Sequence, residues 1–189
     1  LLGFQCRVLH ETSASSYWST FRAFIAQAYK EGYLKENIND NLDKIEAKET
    51  RREYLTMDEL KKLYNTPCDP PVLRAASLFS CLTGLRISDI LQLRWEDIRD
   101  FPDGGKCVRL CTEKTETEAT IPISQEALEL CGTPGTGLVF KDLTRLIVNT
   151  KLKPWLKKCG ITKYITFHCF RHTFATLQVN EGTDIYTVS

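Results

Sequence analysis

Apolar side chains recur at helical spacing early in the chain and then give way to a strongly charged stretch. Ser15 and Ser16 precede this pattern and Gly32 follows it. Its apolar positions are Trp18, Phe21, Ile25 and Ala28. Side chains three and four positions apart share a helix face, so we predict a helix that serine caps and glycine ends. Residues 43–53 are highly charged with few apolar anchors, which indicates a linker or an exposed helical extension before a new unit.

Three further helices are predicted between residues 56 and 93. Thr56 and Glu59 have the spacing of a capping box, which opens a helix to about residue 64. Asp69-Pro-Pro begins the second helix with proline at its first turn, and Gly84 ends it. Ser88 can cap the third helix. Arg86 therefore lies at the junction of two helices.

Alternating residues after position 105 predict a small antiparallel sheet. Residues 102–105 have turn chemistry, and residues 107–112 and 119–123 both alternate, so a β-hairpin or small meander is expected with Lys114 near its tip. Residues 137–140 could add a short extended segment. A basic helix is expected from there to Lys158, bent or interrupted at Pro154 and closed by Gly160. The predicted fold class is α+β, mainly α-helical with a small antiparallel hairpin or meander.

A cluster of basic side chains lies on the last predicted helix, in His168-Cys-Phe-Arg171-His172. Positions 168, 171 and 172 share one face because they are three and four residues apart. The aromatic and apolar positions Phe167, Phe170, Phe174 and Leu177 form the opposite stripe. This division predicts a helix that buries its aromatic side and presents imidazoles and a guanidinium at the edge of a cleft.

Composition excludes several protein classes. The 189 residues are 42% hydrophobic, with 25 basic and 24 acidic side chains, so disordered and collagen-like chains are excluded. No apolar run is long enough to span a bilayer, and the first residues lack a signal-peptide pattern, so we expect a soluble intracellular protein. Eight cysteines without regular spacing indicate reduced, mostly buried thiols.

The distribution of charge along the chain is more informative than the net charge. Between Lys141 and His172 there are eight lysine or arginine side chains and one acid, Asp142. Such a segment can follow a phosphate backbone by releasing counterions. A solvated helix face explains a charge run alone equally well.

Three motifs in this order resemble the catalytic domain of a tyrosine recombinase of the phage integrase family. They are Thr83-Gly-Leu-Arg86 with Asp89 three residues later, the hairpin lysine Lys114, and the HxxRH box of residues 168–172. The residues of these motifs are most similar to those of integrases of conjugative transposons and related mobile elements. The resemblance implies a remnant of the helical core-binding domain in residues 1–42, a linker in residues 43–53, and a catalytic domain in residues 54–189.

The resemblance also implies a role for each residue. Family members attack DNA with a tyrosine, form a 3′-phosphotyrosyl link, and use no metal or cofactor. Arg86 and Arg171 would clamp the phosphate, and Lys114 would protonate the leaving 5′ oxygen. His168 would bind the phosphate or assist proton transfer. Asp89 and His172 would support the site. Rigid guanidinium forks suit a transition state whose charge spreads over nonbridging oxygens.

Each residue has a simpler alternative. Arg86 could be a surface or helix-capping cation, Lys114 a solvated lysine, and His168 a cap. A zinc site of His168, Cys169 and His172 is disfavoured, because Cys169 projects about a hundred degrees from His168 on a helix and no second ligand pair has finger spacing.

A DNA-binding or regulatory relative that holds backbone phosphates without cleaving them is the alternative function.

The end of the chain departs from the family pattern. Tyr186 lies in Asp184-Ile-Tyr-Thr-Val-Ser, which resembles an intervening helix, so we expect it not to be the nucleophile. We therefore expect the chain to be a fragment without its tyrosine segment, inactive and monomeric by itself. The resemblance implies duplex DNA attachment sites, other recombinase protomers in a tetramer, and accessory DNA-bending proteins as partners, with no membrane. It also implies a bacterial cytoplasmic location associated with the nucleoid.

Overall fold

The computed structural model describes residues 11–43, 52–102, 104–111, 118–180 and 182. The chain divides into two compact units, Leu1–Arg51 and Arg52–Ser189. Lys114, Tyr186 and most of the predicted linker lie outside the described residues. No described helix combines the length and apolar character needed to cross a membrane.

The first unit is built on one long helix. Helix α1 spans Glu11–Lys30, and a short 3-10 helix follows at Ile38–Asn41. The indole of Trp18 donates a hydrogen bond of 2.9 Å to the Asp43 carbonyl, which ties the last described residue of this unit to α1. Because α1 begins at Glu11, Ser15 lies inside the helix, and the prediction of a serine cap there is wrong. The chain leaves the helix at Gly32, with φ at +80°.

The second unit contains six α-helices in its described part, and a short 3-10 helix at Trp95–Asp97. They are α2 Met57–Asn65, α3 Pro71–Thr83, α4 Ile87–Gln92, α5 Gln125–Cys131, α6 Arg145–Lys158 and α7 Phe167–Asn180. The capping box is confirmed, since the Glu59 carboxylate accepts the Thr56 N–H at 2.8 Å and Thr56 Oγ1 accepts the Glu59 N–H at 3.3 Å. The capping prediction for α4 is wrong, because Arg86 and not Ser88 is its N-cap.

Helix α6 continues through Pro154, so the proline does not interrupt it. Proline removes one helical hydrogen bond, but packing can hold the helix together around it. Leu152, Trp155 and Leu156 are all buried on either side of Pro154. The Trp155 indole also donates to the Thr66 carbonyl at 3.1 Å.

The sheet is a three-stranded antiparallel meander in the order β1, β2, β3. The strands are β1 Ile98–Asp100, β2 Lys106–Cys111 and β3 Glu118–Ile123. Buried Val108 at the centre of β2 pairs with Ile98 on one side and Ile121 on the other. The predicted fold class, mainly helical with a small antiparallel sheet, is confirmed.

Helix α3 is the centre of the core. It packs against α5 and α7, and Phe79 contacts Phe140 with ring centroids 5.4 Å apart. Helix α7 buries Phe167, Cys169, Phe170 and Thr173. The described thiols at positions 68, 81, 107, 131, 159 and 169 are free and buried, as predicted. The core thus fixes α7 against the end of α3, where the candidate site lies.

Candidate phosphate-binding site

Helix α7 presents its basic side chains on the face opposite its buried aromatic residues. Phe167 and Phe170 are buried and meet edge to face at 5.2 Å. His168 is exposed, while Arg171 and His172 are half-buried. The predicted division of the helix is therefore confirmed over its first two turns. Phe174 and Leu177 are only half-buried, so the apolar stripe weakens toward the end of the helix.

Arg171 is anchored to the end of α3. Its Nη1 donates a hydrogen bond of 2.7 Å to the carbonyl oxygen of Gly84, 87 positions earlier in the chain. Burial lowers the pKa of Arg171, as does the neighbouring charge of Arg86, while the Asp89 carboxylate opposes these effects. The hydrogen bond fixes one end of the guanidinium fork, so its remaining N–H groups have a defined direction.

Gly84 is required at this anchor for two reasons. Its φ of +70° is the left-handed conformation that ends α3, which glycine adopts without strain. A Cβ at this position would also stand 2.6 Å from Cδ1 of Phe174 on α7. Helix α7 can therefore approach the end of α3 closely only because residue 84 has no side chain.

Arg86 follows on the same tight turn and is the N-cap of α4. Its neighbour Leu85 is buried, and the Leu85 carbonyl accepts a hydrogen bond from the Ser80 hydroxyl at 2.9 Å. The Asp89 carboxylate accepts the Arg86 backbone N–H at 3.2 Å and the Ser88 hydroxyl at 3.1 Å. Asp89 thus holds the backbone that carries Arg86, and the exposed guanidinium of Arg86 stays available.

The two histidines of the box contact each other. Their ring centroids are 4.6 Å apart, with the planes at 88°. Burial lowers the pKa of His172, and so do His168, Arg52 and Arg171, in decreasing order. His172 is therefore a neutral imidazole at neutral pH, placed edge to face against the more exposed ring of His168.

Two contributors to this region were not predicted from the sequence. Thr173 is fully buried, and its Oγ1 accepts the backbone N–H of Leu55 at 2.9 Å, a contact that spans 118 positions. Arg52, which the sequence places in the charged linker, lies close enough to His172 to lower its pKa. Neither residue belongs to a local motif, so only the tertiary contact between the 52–56 segment and α7 reveals them.

A cleft of about 1080 Å³ lies beside the box, between α6 and residues 160–168. Ile87 and His168 form part of its lining, so it opens next to the arginine cluster. Its basic lining residues are Arg145, Lys153, Lys157 and Lys163. Lys163 forms an ion pair of 2.8 Å with Glu59. The predicted basic segment thus contributes cations to a concave surface adjoining the candidate site.

The described residues give no support to the zinc alternative. Within them, no three histidine, cysteine, aspartate or glutamate side chains gather into a metal-binding group. Cys169 is buried, and its Sγ accepts the Thr166 N–H at 3.3 Å.

The structure brings five of the predicted site residues to one region. Arg86, Asp89 and Arg171 interact electrostatically, and His172 interacts with both His168 and Arg171. Lys114 lies outside the described residues, so its place and role stay predictions. The grouping is chemically suited to an anion with several oxygens, since two guanidiniums and an imidazole edge supply directed N–H donors.

Comparison with known proteins identifies the family. Residues 53–134 match the Phage integrase family, and residues 4–45 match the Phage integrase SAM-like domain. The tyrosine recombinase XerA of Pyrococcus furiosus is 31% identical over 197 residues, covering 95% of this chain and 67% of that protein. The chain spans 65% to 66% of the length of several other curated tyrosine recombinases that it matches.

Two solved structures share the fold. The Tn1549 transposon integrase in complex with circular intermediate DNA gives a TM-score of 0.67 at 18% identity, covering 95% of this chain and 70% of that one. A lambda integrase tetramer bound to a Holliday junction also gives 0.67, at 24% identity over 92% of this chain and 56% of that one. Because the XerA recombinase is 31% identical to this chain and the match covers 67% of that protein, the chain belongs to the tyrosine recombinase family.

Proposed function

We propose that the protein to which this chain belongs is a site-specific DNA recombinase or integrase that cuts and rejoins duplex DNA. The observation that carries this proposal is the anchoring of Arg171 to the Gly84 carbonyl beside Arg86. A half-buried guanidinium with a fixed direction, next to a second one, suits a phosphate whose charge increases during reaction. Preorganised cations require no rearrangement at that moment.

The proposed reaction is a transesterification at phosphorus. A tyrosine oxygen attacks the scissile phosphate, loses its proton, and forms a 3′-phosphotyrosyl bond as the bond to the 5′ oxygen breaks. That oxygen takes a proton and leaves as a 5′ hydroxyl, which later attacks the phosphotyrosine to rejoin a strand. Because the phosphate ester bond is exchanged and not hydrolysed, the cycle needs no nucleotide or other cofactor.

Each residue of the cluster has a proposed part in this step. Arg86 and Arg171 bind the nonbridging oxygens. Lys114 protonates the leaving oxygen, and His168 binds the phosphate or assists the proton transfer. Asp89 acts on Arg86 through the backbone hydrogen bond that it accepts. His172 positions the ring of His168 by their edge-to-face contact.

The remaining proposals concern the rest of the protein. We place the nucleophilic tyrosine outside residues 1–189 and assign Tyr186 no catalytic role. Residues 1–42 would belong to the core-binding domain and residues 54–189 to the catalytic domain. The partners would be duplex attachment sites, further protomers in a tetramer, and DNA-bending proteins, in the bacterial cytoplasm with the nucleoid. By itself, the chain would be an inactive monomer.

A nicked suicide substrate tests the proposal, using the protein encoded by the full reading frame that contains this chain. Loss of a short fragment after cleavage traps the covalent intermediate, so the wild type should accumulate a protein–DNA adduct. Arg86→Ala and Arg171→Ala should each slow adduct formation by about 100-fold to 1000-fold, as for other preorganised charge donors. Tyr186→Phe should form the adduct at the wild-type rate.

Two results would contradict this account. Wild-type protein that binds the duplex but never forms an adduct would favour the alternative, a relative that holds phosphates without cleavage. An adduct that Tyr186→Phe abolishes would show that the nucleophile lies within the chain.

A further inference from the structure

The segment at the start of the second unit, residues 52–56, contacts α7. The Leu55 N–H donates to the buried Thr173 hydroxyl at 2.9 Å. Lys163 binds the same segment, since its Nζ donates to the Tyr54 carbonyl at 3.1 Å and to the Glu59 carboxylate at 2.8 Å. Two separate contacts therefore fix the backbone of residues 54 and 55 against the part of the fold that carries the histidine and arginine box.

Arg52 is the first residue of this segment and lies near the box. It is three residues before Leu55, a span of about 10 Å in extended chain. Thr173, the partner of Leu55, directly follows His172. The charge of Arg52 contributes to the lowered pKa of His172, in agreement with this backbone placement.

The guanidinium of Arg52 faces solvent. The residue is exposed, and in the part of the chain that the structure describes no carboxylate forms an ion pair with it. Arg52 and Arg171 both act on His172, and like charges grouped in this way repel each other unless an anion is bound. The positive charges near His172 come from two directions, Arg171 on its own helix and Arg52 on the 52–56 segment.

We propose that Arg52 is a third guanidinium of the phosphate-binding cluster, contacting the DNA backbone beside the phosphate held by Arg86 and Arg171. This inference rests on the proposed function, since the anion it names is the same duplex. A scissile phosphate is followed along its strand by further phosphates, so a cation at the edge of the box can bind a neighbouring one. Arg52 would thus fix the register of the strand and would not take part in the chemical step.

The first test measures the position of Arg52 without DNA. The chain has three histidines, and His168→Gln and His172→Gln variants assign their NMR signals. Arg52→Gln should raise the pKa of His172, because a like charge that disfavours the imidazolium is removed. Arg94→Gln is the matched control, since Arg94 is an exposed arginine beside Glu96, and it should leave the pKa unchanged. An unchanged His172 pKa in Arg52→Gln would overturn the inference.

The second test measures how binding of the 189-residue chain to a duplex depends on salt. Each phosphate contact contributes about 0.9 to the slope of log K against log salt concentration. Arg52→Gln should lower the slope by about that amount, whereas Arg52→Lys and Arg94→Gln should keep it. Equal slopes for wild type and Arg52→Gln would overturn the inference while leaving the proposed function intact. Wild-type binding without any salt dependence would overturn both.

Discussion

Replacing Gly84 with alanine tests the contact on which the arginine anchor depends. The added Cβ imposes two separate costs. A non-glycine residue at φ of +70° costs about 1 to 2 kcal/mol. The Cβ would also stand 2.6 Å from the Phe174 ring, and overpacking of this kind costs about 1 to 3 kcal/mol. We therefore expect the free energy of unfolding to fall by about 2 to 5 kcal/mol.

Gly160 offers a matched control for the backbone cost alone. It has φ of +71° at the end of α6, but a Cβ there would meet no atom within 4 Å. Gly160→Ala should therefore cost only about 1 to 2 kcal/mol. Urea unfolding of the 189-residue chain, extrapolated to zero denaturant, measures both variants.

A second substitution separates the ring contact from other effects. In a Phe174→Leu background the smaller side chain should relieve the clash, so Gly84→Ala should cost about as much as Gly160→Ala does in the wild type. A double-mutant cycle gives the coupling energy directly. If Gly84→Ala costs no more than Gly160→Ala in the wild type, the close approach of α7 to Gly84 does not determine stability and the reasoning is refuted.

Two further predictions concern contacts around the site. Thr173→Val leaves the buried Leu55 N–H without its acceptor and should lower the free energy of unfolding, measured in urea, by about 1 to 3 kcal/mol. Thr173→Ser keeps the hydroxyl and should lose less stability. Equal losses in the two variants would contradict this prediction. Burial raises the pKa of Glu59, but hydrogen bonds from Lys163 and Thr56 outweigh it and lower the pKa below 4.5. The ionised Glu59 carboxylate thus adds to the free energy of unfolding above pH 4.5, and this stabilisation is lost as pH falls through the lower folded-state pKa. The free energy of unfolding of Glu59→Gln, measured in an acid titration, should therefore fall less steeply below pH 4.5 than that of the wild type.

Local motifs were predictable from the sequence because neighbouring residues satisfy them. The capping box of Thr56 and Glu59, the glycine that ends α3, and the helical face shared by His168 and Arg171 all depend on residues within a few positions. The alternating strands likewise predicted the sheet. The cap of α4 was misassigned because serine commonly caps helices, whereas here the Asp89 carboxylate satisfies the Arg86 N–H.

The contacts that complete the site were not predictable. Arg171 binds a carbonyl 87 positions away, and Leu55 binds a hydroxyl 118 positions away. Such pairings depend on how α3 and α7 pack, which single-sequence periodicity does not specify. The role of Arg52 was not predictable for the same reason. A charged stretch indicates a solvated linker unless its neighbours in space are known.

The most direct test of the central claim asks whether Arg171 neutralises charge on the scissile phosphate. The full-reading-frame protein would be given suicide substrates with either a normal phosphate or an uncharged methylphosphonate at the cleavage site. On the phosphate, Arg171→Ala should slow adduct formation by about 100-fold to 1000-fold. On the methylphosphonate, the same substitution should slow adduct formation far less, because the negative charge that the guanidinium offsets is absent. An equal loss on both substrates would contradict the account.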